Sequence, residues 1–213
     1  IEVATGEAVS MEELGGTRVH SKRTGQVDQT VETAAQAHEA IRKFLSYLPS
    51  NAWSRAPRAN PSPRVHNPAL SEIVPQDRRK SYDIRDLIGA ITDESSFFEL
   101  GGGFARSLVT GLGHIDGHPV GILANQPASA AGTISPDACQ KAIRLLVLCD
   151  SFDIPIVSLQ DTPGFMVGTK VEHGGLLDAS MRFLQAWELC GAPKLTVIVR
   201  KAFGMAFFSM GGT

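Results

Sequence analysis

The sequence lacks a long apolar run. Its strongest, Leu145-Leu146-Val147-Leu148-Cys149, stops at Asp150, far short of a membrane span. The pattern of a signal peptide is missing as well. Charge of one sign is scarce: 20 Lys and Arg against 22 Asp and Glu leave a formal net charge of −2, so there is no basic field for nucleic acid. Cysteine is rare. Cys139, Cys149 and Cys190 are odd in number and lack CxxC spacing. Cys139 and Cys149 share one helical pattern and Cys190 lies in another, which favours core packing over a metal or a disulfide. That usage suits a reducing, cytoplasmic compartment, or the mitochondrial matrix in a eukaryote.

Signatures of several enzyme classes are missing too. Gly101-Gly102-Gly103 has no Gly-Lys-Ser/Thr ending for a phosphate loop and reads as a flexible turn. Gly111, Gly113 and Gly117 have the wrong third spacing for a dinucleotide fingerprint. His114 and His118 have no acidic or cysteine partner at zinc spacing, so no metal is expected. There is no GxSxG elbow, and Ser158 falls inside a strand pattern.

What is present is a globular enzyme's composition, 43% hydrophobic and 20% charged, over 213 residues. That length holds one large domain or parts of two. The chain begins at Ile1 and stops at Gly211-Gly212-Thr213, which reads as a piece of a longer protein. A helix is expected from about Thr30 to Leu48, with Val31, Ala34 or Ala35, His38, Ile41 and Leu45 on its inner face. Pro49, Pro57, Pro61, Pro63 and Pro68 then mark an extended linker and a domain boundary.

After the linker a short helix is expected at Asp83–Ile91, capped by Asp83 or Ser81. Ser107–Ile115 and Pro119–Asn125 form a hairpin around Asp116-Gly117-His118. Residues 136–150 read as a helix with Pro136 in its first turn, where a missing amide costs nothing. A buried strand follows over Ile154–Gln160. Its run into Asp161-Thr162-Pro163-Gly164-Phe165 puts exposed backbone where ligands of layered α/β folds bind. Next comes a helix from about Glu172 to Cys190, with Leu177, Met181 and Leu184 inside and Trp187 beside them. Gly191 stops it, and Leu195–Val199 is a second buried strand, ending near Gly204-Met205-Ala206. This is a layered α/β core.

One constellation carries chemistry. Two strand ends bring glycine-rich backbone to one sheet edge, beside the polar turn Asn125-Gln126-Pro127, with no nucleophile among them. Backbone donors without a nucleophile suit the stabilisation of an oxyanion, each donor being worth roughly 3–4 kcal/mol of barrier. Gly204-Met205-Ala206 could present such amides at a helix start. A plain strand-to-helix turn is the alternative.

Several short motifs occur in the order found in one family. They are Tyr82-Asp83-Ile84-Arg85, the run Gly117 to Pro127, Cys149-Asp150-Ser151-Phe152-Asp153-Ile154-Pro155, Asp161–Phe165 and Arg200-Lys201-Ala202-Phe203-Gly204. Thr5-Gly6-Glu7, Glu13-Leu14-Gly15-Gly16, Val19-His20-Ser21 and Leu45–Asn51 extend the match to the first segment. Together they resemble the carboxyltransferase (beta) subunit of biotin-dependent acyl-CoA carboxylases, of the propionyl-CoA carboxylase type.

The resemblance implies crotonase-like ββα-spiral domains. Residues 1–51 would be the tail of an N-terminal domain, 52–80 the linker, and 81–213 the first part of a C-terminal domain. It implies carboxyl transfer from carboxybiotin, held by a biotin carboxylase or carrier partner, to the α-carbon of an acyl-CoA. Carboxybiotin releases CO2, and the freed biotin nitrogen takes the α-proton. One backbone hole holds the thioester enolate, on a glycine pair upstream of Ile1. A second holds the biotin ureido oxygen, here on the amides of Met205 and Ala206, with Gly204 before them. Asn125, Gln126, Pro127, Gly164, Phe165 and Phe208 would line the biotin and acyl-CoA site. The active site would lie between the N-domain of one subunit and the C-domain of another in a homo-oligomer, without nucleic acid or membrane. Many relatives have glycine at the Met205 position and a polar residue at or near Phe208, so a less common acyl group is expected here. A biotin-dependent decarboxylase subunit and a non-catalytic paralogue are the alternatives.

Overall fold

A computed structural model describes residues 1–61 and 70–212. Short helices α1 (Glu2–Thr5), α2 (Met11–Gly15) and α3 (Thr17–Lys22) precede α4 (Ala34–Ser46), and α5 (Leu70–Ile73) and α6 (Ile84–Ile91) lead into the sheet. Then follow β1 (Phe98–Leu100), β2 (Leu108–Ile115), β3 (His118–Asn125), α7 (Pro136–Ser151) and β4 (Ile156–Thr162). The chain continues through α8 (Thr169–His173), α9 (Leu176–Leu189), β5 (Lys194–Ala202) and α10 (Met205–Gly211).

The five strands lie in sequence order, β1-β2-β3-β4-β5. β1, β2 and β3 pair antiparallel, whereas β3, β4 and β5 pair parallel. The parallel half needs crossovers, supplied by α7 between β3 and β4 and by α8 and α9 between β4 and β5. The hairpin turns on Asp116 and Gly117, both at positive φ (54° and 75°), as a two-residue Asp-Gly turn favours. Both its amides donate to the Asp93 carboxylate, at 3.0 and 2.7 Å.

Both faces of the sheet are covered, which is why β3 from Pro119 on and all of β4 are buried. On one face Leu112, Leu123 and Ile156 pack with Leu145 of α7 and with Phe183 and Trp187 of α9. On the other, Val109, Ile122, Val157 and Leu159 pack with Ile84 and Ile88 of α6. Each such side chain fully buried contributes about 1.5–3 kcal/mol.

Local signals set the helix starts. Ser135 accepts from Ala138 N–H at 3.1 Å and Pro136 opens α7. Asp83 caps α6 by accepting from Arg85 N–H at 2.9 Å. Thr33 and Gln36 form a reciprocal capping box. The first segment docks on the sheet and α7: Arg144 pairs with Asp28 at 2.9 Å and donates to the Gly25 carbonyl. Tyr47 stacks on His114, with ring centroids 4.8 Å apart, and donates to the Ser96 carbonyl.

Several expectations need correcting. The Thr33 box starts α4 at Ala34 rather than Thr30, and the helix faces the other way. Ala40, Phe44 and Tyr47 turn inward, while Ile41 and Leu45 are more than half exposed. The aromatic rings of Phe44 and Tyr47, packed near Phe98, bury more surface than the aliphatic stripe would. The same competition rotates α9. Phe183 and Trp187 are buried with Leu176 and Ser180, leaving Leu177 and Met181 outside. The predicted helix from Glu172 is two helices, because Gly174-Gly175 breaks it, with Gly175 in the left-handed region.

Strand β4 runs on to Thr162, since Asp161 is buried with an ionic partner and Thr162 still pairs with Ala202. Strand β5 is not buried: it is an edge strand among the described residues, and Leu195, Val197 and Ile198 are exposed. The predicted linker contains the short helix α5, whereas Pro63 and Pro68 lie outside the described residues. Three-residue β1 and helices α1 to α3 carried no periodicity long enough to read.

Candidate active site

Three chain segments meet at the carboxyl ends of β3, β4 and β5, the edge where open α/β sheets bind ligands. After β3, Asn125 is buried and acts as a clamp. Its Oδ1 accepts from Asp161 N–H at 3.1 Å and its Nδ2 donates to the Gly132 carbonyl at 3.2 Å. Gln126, also buried, donates to Asp83 at 2.6 Å and accepts from Ile84 N–H at 3.3 Å. Gly132 sits at φ +77°, and a methyl group added there would lie 2.5 Å from the Asp161 carbonyl oxygen. The loop after β3 therefore presses directly on β4.

After β4 the loop is pinned rather than free. Gly164 N–H donates to Thr162 Oγ1 at 3.1 Å, and the Gly164 carbonyl accepts from Ile134 N–H at 3.1 Å. Met166 N–H donates to the Ile134 carbonyl at 2.9 Å, so Phe165 and Ile134 form an isolated parallel bridge. A methyl group at Gly164 would stand 3.7 Å from the Phe203 carbonyl, which brings the loops after β4 and β5 into contact.

After β5 the chain turns through Gly204 (φ 62°, ψ −151°) into α10. A side chain is disfavoured in that conformation. Gly204 supplies no capping side chain, and no helical carbonyl lies four residues before Met205 or Ala206. Their N–H groups are thus donors at the positive end of a short helix. Around them Phe203, Met205 and Phe208 are exposed, and Phe208 packs edge-on to Phe207 with ring centroids 5.3 Å apart.

Asp161 is committed to an ion pair inside the fold. It is fully buried and its Oδ2 accepts from Arg200 Nε at 2.7 Å, with Lys201 Nζ 3.7 Å from Oδ1. Arg200 lies over the Tyr82 ring, 4.7 Å from its centroid. Burial, and after it the Asp161 carboxylate, push the Tyr82 phenol above its ordinary value. The thiols are no better placed as nucleophiles. Burial pushes Cys139 and Cys149 up to about 12, and raises Cys190 as well. Among the described residues no group of three or more His, Cys, Asp or Glu is placed to hold a metal ion.

The structure brings Gly164, Phe165, Gly204, Met205, Ala206 and Phe208 to one edge, with Asn125, Gln126 and Pro127 behind them. The Asn125 and Gln126 side chains are committed to internal bonds and hold the walls of the site. Sequence analysis places Arg200 and Tyr82 in motifs and Gln160 at a strand end, but gives none of them a part in building this edge. A lone arginine next to a strand end was the available signal, but its partner Asp161 lies on another strand.

The carboxyl transferase domain matches residues 1–213, the whole chain. The chain belongs to the carboxyl transferase family. It is 44% identical over 209 residues to the propionyl-CoA carboxylase carboxyltransferase subunit of Haloferax mediterranei, covering 97% of this chain and 40% of that protein. It is 40% identical over 220 residues to the biotin-dependent acetyl-/propionyl-coenzyme A carboxylase beta5 subunit of Mycobacterium leprae, covering 99% of this chain and 40% of the relative. In three dimensions it matches the transcarboxylase 12S crystal structure, a hexamer assembly with hydrolysed methylmalonyl-coenzyme A bound. That match has a TM-score of 0.95 at 38% identity and covers 99% of this chain and 41% of the other. This carboxyl transferase chain therefore spans about two fifths of the length of these relatives. It shares their α/β architecture. None of its described helices is long and apolar enough to cross a membrane.

Proposed function

We propose that the protein containing this chain transfers a carboxyl group from carboxybiotin to the α-carbon of an acyl-CoA. The observation that carries the reading is the pair of uncapped amides at Met205 and Ala206, presented by Gly204 beside exposed Phe203 and Phe208. Two adjacent N–H donors fit the ureido oxygen of biotin, which gains negative charge as its nitrogen loses the carboxyl group. The apolar rings beside them suit the flat body of the bicyclic ring system. When bound, biotin supplies the carried carboxyl group and the nitrogen that accepts the α-proton. The chain's own residues bind, orient and exclude water; none has to move a proton.

The fold assignment is a crotonase-like ββα-spiral. Residues 1–51 are the tail of one carboxyltransferase domain, 52–80 a linker, and 81–213 the first part of a second. Biotin arrives on a carrier shared with a biotin carboxylase, and the site is completed between subunits of a homo-oligomer. Exposed Leu195, Val197 and Ile198 on β5 suit such an assembly, since apolar side chains clustered on one strand favour a covering partner. The three buried thiols suit a reducing, cytoplasm-like compartment. Met205 and Phe208 add bulky, apolar, exposed side chains to this edge, which suits a less common acyl group.

Mixing the intact protein with carboxylated biotin carrier and a panel of acyl-CoAs should yield carboxylated acyl-CoA. No transfer to any member of the panel, while a propionyl-CoA carboxylase works in parallel, overturns the proposal.

A further inference from the structure

The pairing of β4 with β5 breaks where the site begins. Gln160 pairs with Ile198, and the next pair is Thr162 with Ala202. Over that interval β4 advances two residues (160 to 162) and β5 advances four (198 to 202), so β5 bulges outward at 199–201. Bulges re-aim a strand and are frequent beside active sites. Here the bulge delivers the chain to Gly204 and the first turn of α10.

A buried ion pair spans the bulge. Asp161, on the straight strand, is fully buried, and the Arg200 side chain, on the bulged strand, is only 6% exposed. Their Oδ2–Nε contact is 2.7 Å, and Lys201 adds a second charge 3.7 Å from Oδ1. Arg200 Nη1 also donates to the carbonyls of Pro75, Asp77 and Lys80, at 3.3, 3.3 and 2.9 Å. One guanidinium thus ties β4, β5 and the 75–80 loop together, with its face on Tyr82. A planar fork with several fixed donors can do this; a lysine ammonium cannot reproduce it.

The opposite face of the same strands holds α10 from behind. Gln160 Nε2 donates to the Phe207 carbonyl at 3.2 Å, and Thr196 Oγ1 donates to the Met210 carbonyl at 3.1 Å. Gln160 is fully buried and its Oε1 finds no partner among the described residues, so its one bond is to this helix. Adjacent residues of β4 therefore fix the two things that place the Met205 and Ala206 amides: Asp161 fixes the bulge that leads in, and Gln160 fixes the helix.

We propose that Asp161, Arg200 and Gln160 are positioning residues for the Met205 and Ala206 amides. They act through the backbone and never touch the reacting groups. The inference rests on the reading of those amides as an oxyanion hole. Donors of that kind must be held to within about 0.5 Å, and a misplacement of about 1 Å costs on the order of a hundredfold in rate.

The test uses Arg200→Lys and Gln160→Met in the intact oligomer, with Ala206→Pro in parallel. Arg200→Lys keeps the charge opposite Asp161, and Gln160→Met replaces a buried amide by an apolar side chain of similar size, so one or both should fold. Activity is expressed per folded active site, counted by acyl-CoA binding stoichiometry. Arg200→Lys and Gln160→Met should each lower kcat by about tenfold to a hundredfold while the acyl-CoA KM stays within about twofold. A purely structural role would lower the folded fraction and leave kcat per folded site unchanged, and that result overturns the inference. If Ala206→Pro abolishes transfer while both positioning variants keep the parent kcat, the positioning claim alone fails. If Ala206→Pro itself retains full transfer, the oxyanion reading fails and this inference with it.

Discussion

Ala206→Pro in the intact protein is expected to abolish carboxyl transfer while leaving acyl-CoA affinity within a few-fold of the parent. The substitution deletes one amide donor. Removing a single oxyanion-hole donor costs about a hundredfold to a thousandfold in kcat, or roughly 3–4 kcal/mol of barrier. Proline is tolerated in the first turn of a helix, where no backbone acceptor is lost. Ala206 is buried, however, so the ring also has to fit against the core. Met205→Pro is the companion variant. It occupies the first helical position, which proline favours, and Met205 is more than a third exposed. It removes the neighbouring donor and should give a loss of the same order. Transfer rates with carboxylated carrier, and calorimetry with acyl-CoA, check both variants. Near-parent rates in both would exclude these amides from the chemistry.

Trp187→Ala should produce the largest loss of stability of any single change in the layer beneath α10. Trp187 is fully buried with Phe183 and Met210, and a methyl group at Gly212 would lie 3.1 Å from its indole nitrogen. Lys194 stands 5.6 Å from the ring centroid and donates to the Trp187 carbonyl at 3.0 Å, tying the start of β5 to the same residue. Truncation leaves a cavity that these rigid neighbours only partly fill, at a cost of about 3–5 kcal/mol. Chemical denaturation of the intact protein measures it. A loss below about 1 kcal/mol would mean that α10 does not rest on this side chain.

The elements with strong local signals are legible in the sequence itself. The Asp-Gly hairpin, the Asp83-capped helix and the Pro136 helix each combine a turn or cap residue with a clean period, and each lies where expected. The inner faces of α4 and α9 were not readable. Both helices carry an aliphatic stripe and an aromatic stripe, and periodicity alone does not say which is buried. Tyr47, with His114 beneath it, decides the first, and Phe183 with Trp187 decides the second.

The candidate site was half legible. Glycine after a strand marks where backbone is exposed, so Gly164 and Gly204 stood out, and the lack of any nucleophile pointed to backbone chemistry. The side chains that hold this backbone were invisible, because Arg200 meets Asp161 and Tyr82 only once the sheet has assembled. Asn125 and Gln126 stand out in the sequence as a polar turn at a strand end. Their hydrogen bonds to the Gly132 carbonyl, the Asp161 and Ile84 amides and the Asp83 carboxylate appear only in the folded chain, as the satisfaction of polar groups at such depth requires.

The most direct test of the account is a crystal structure of the intact protein with biotin bound at this sheet edge. The ureido oxygen should lie about 2.7–3.1 Å from both the Met205 and the Ala206 nitrogen, the range for an effective oxyanion donor. A ring bound elsewhere, or one whose ureido oxygen faces away from α10, would contradict it.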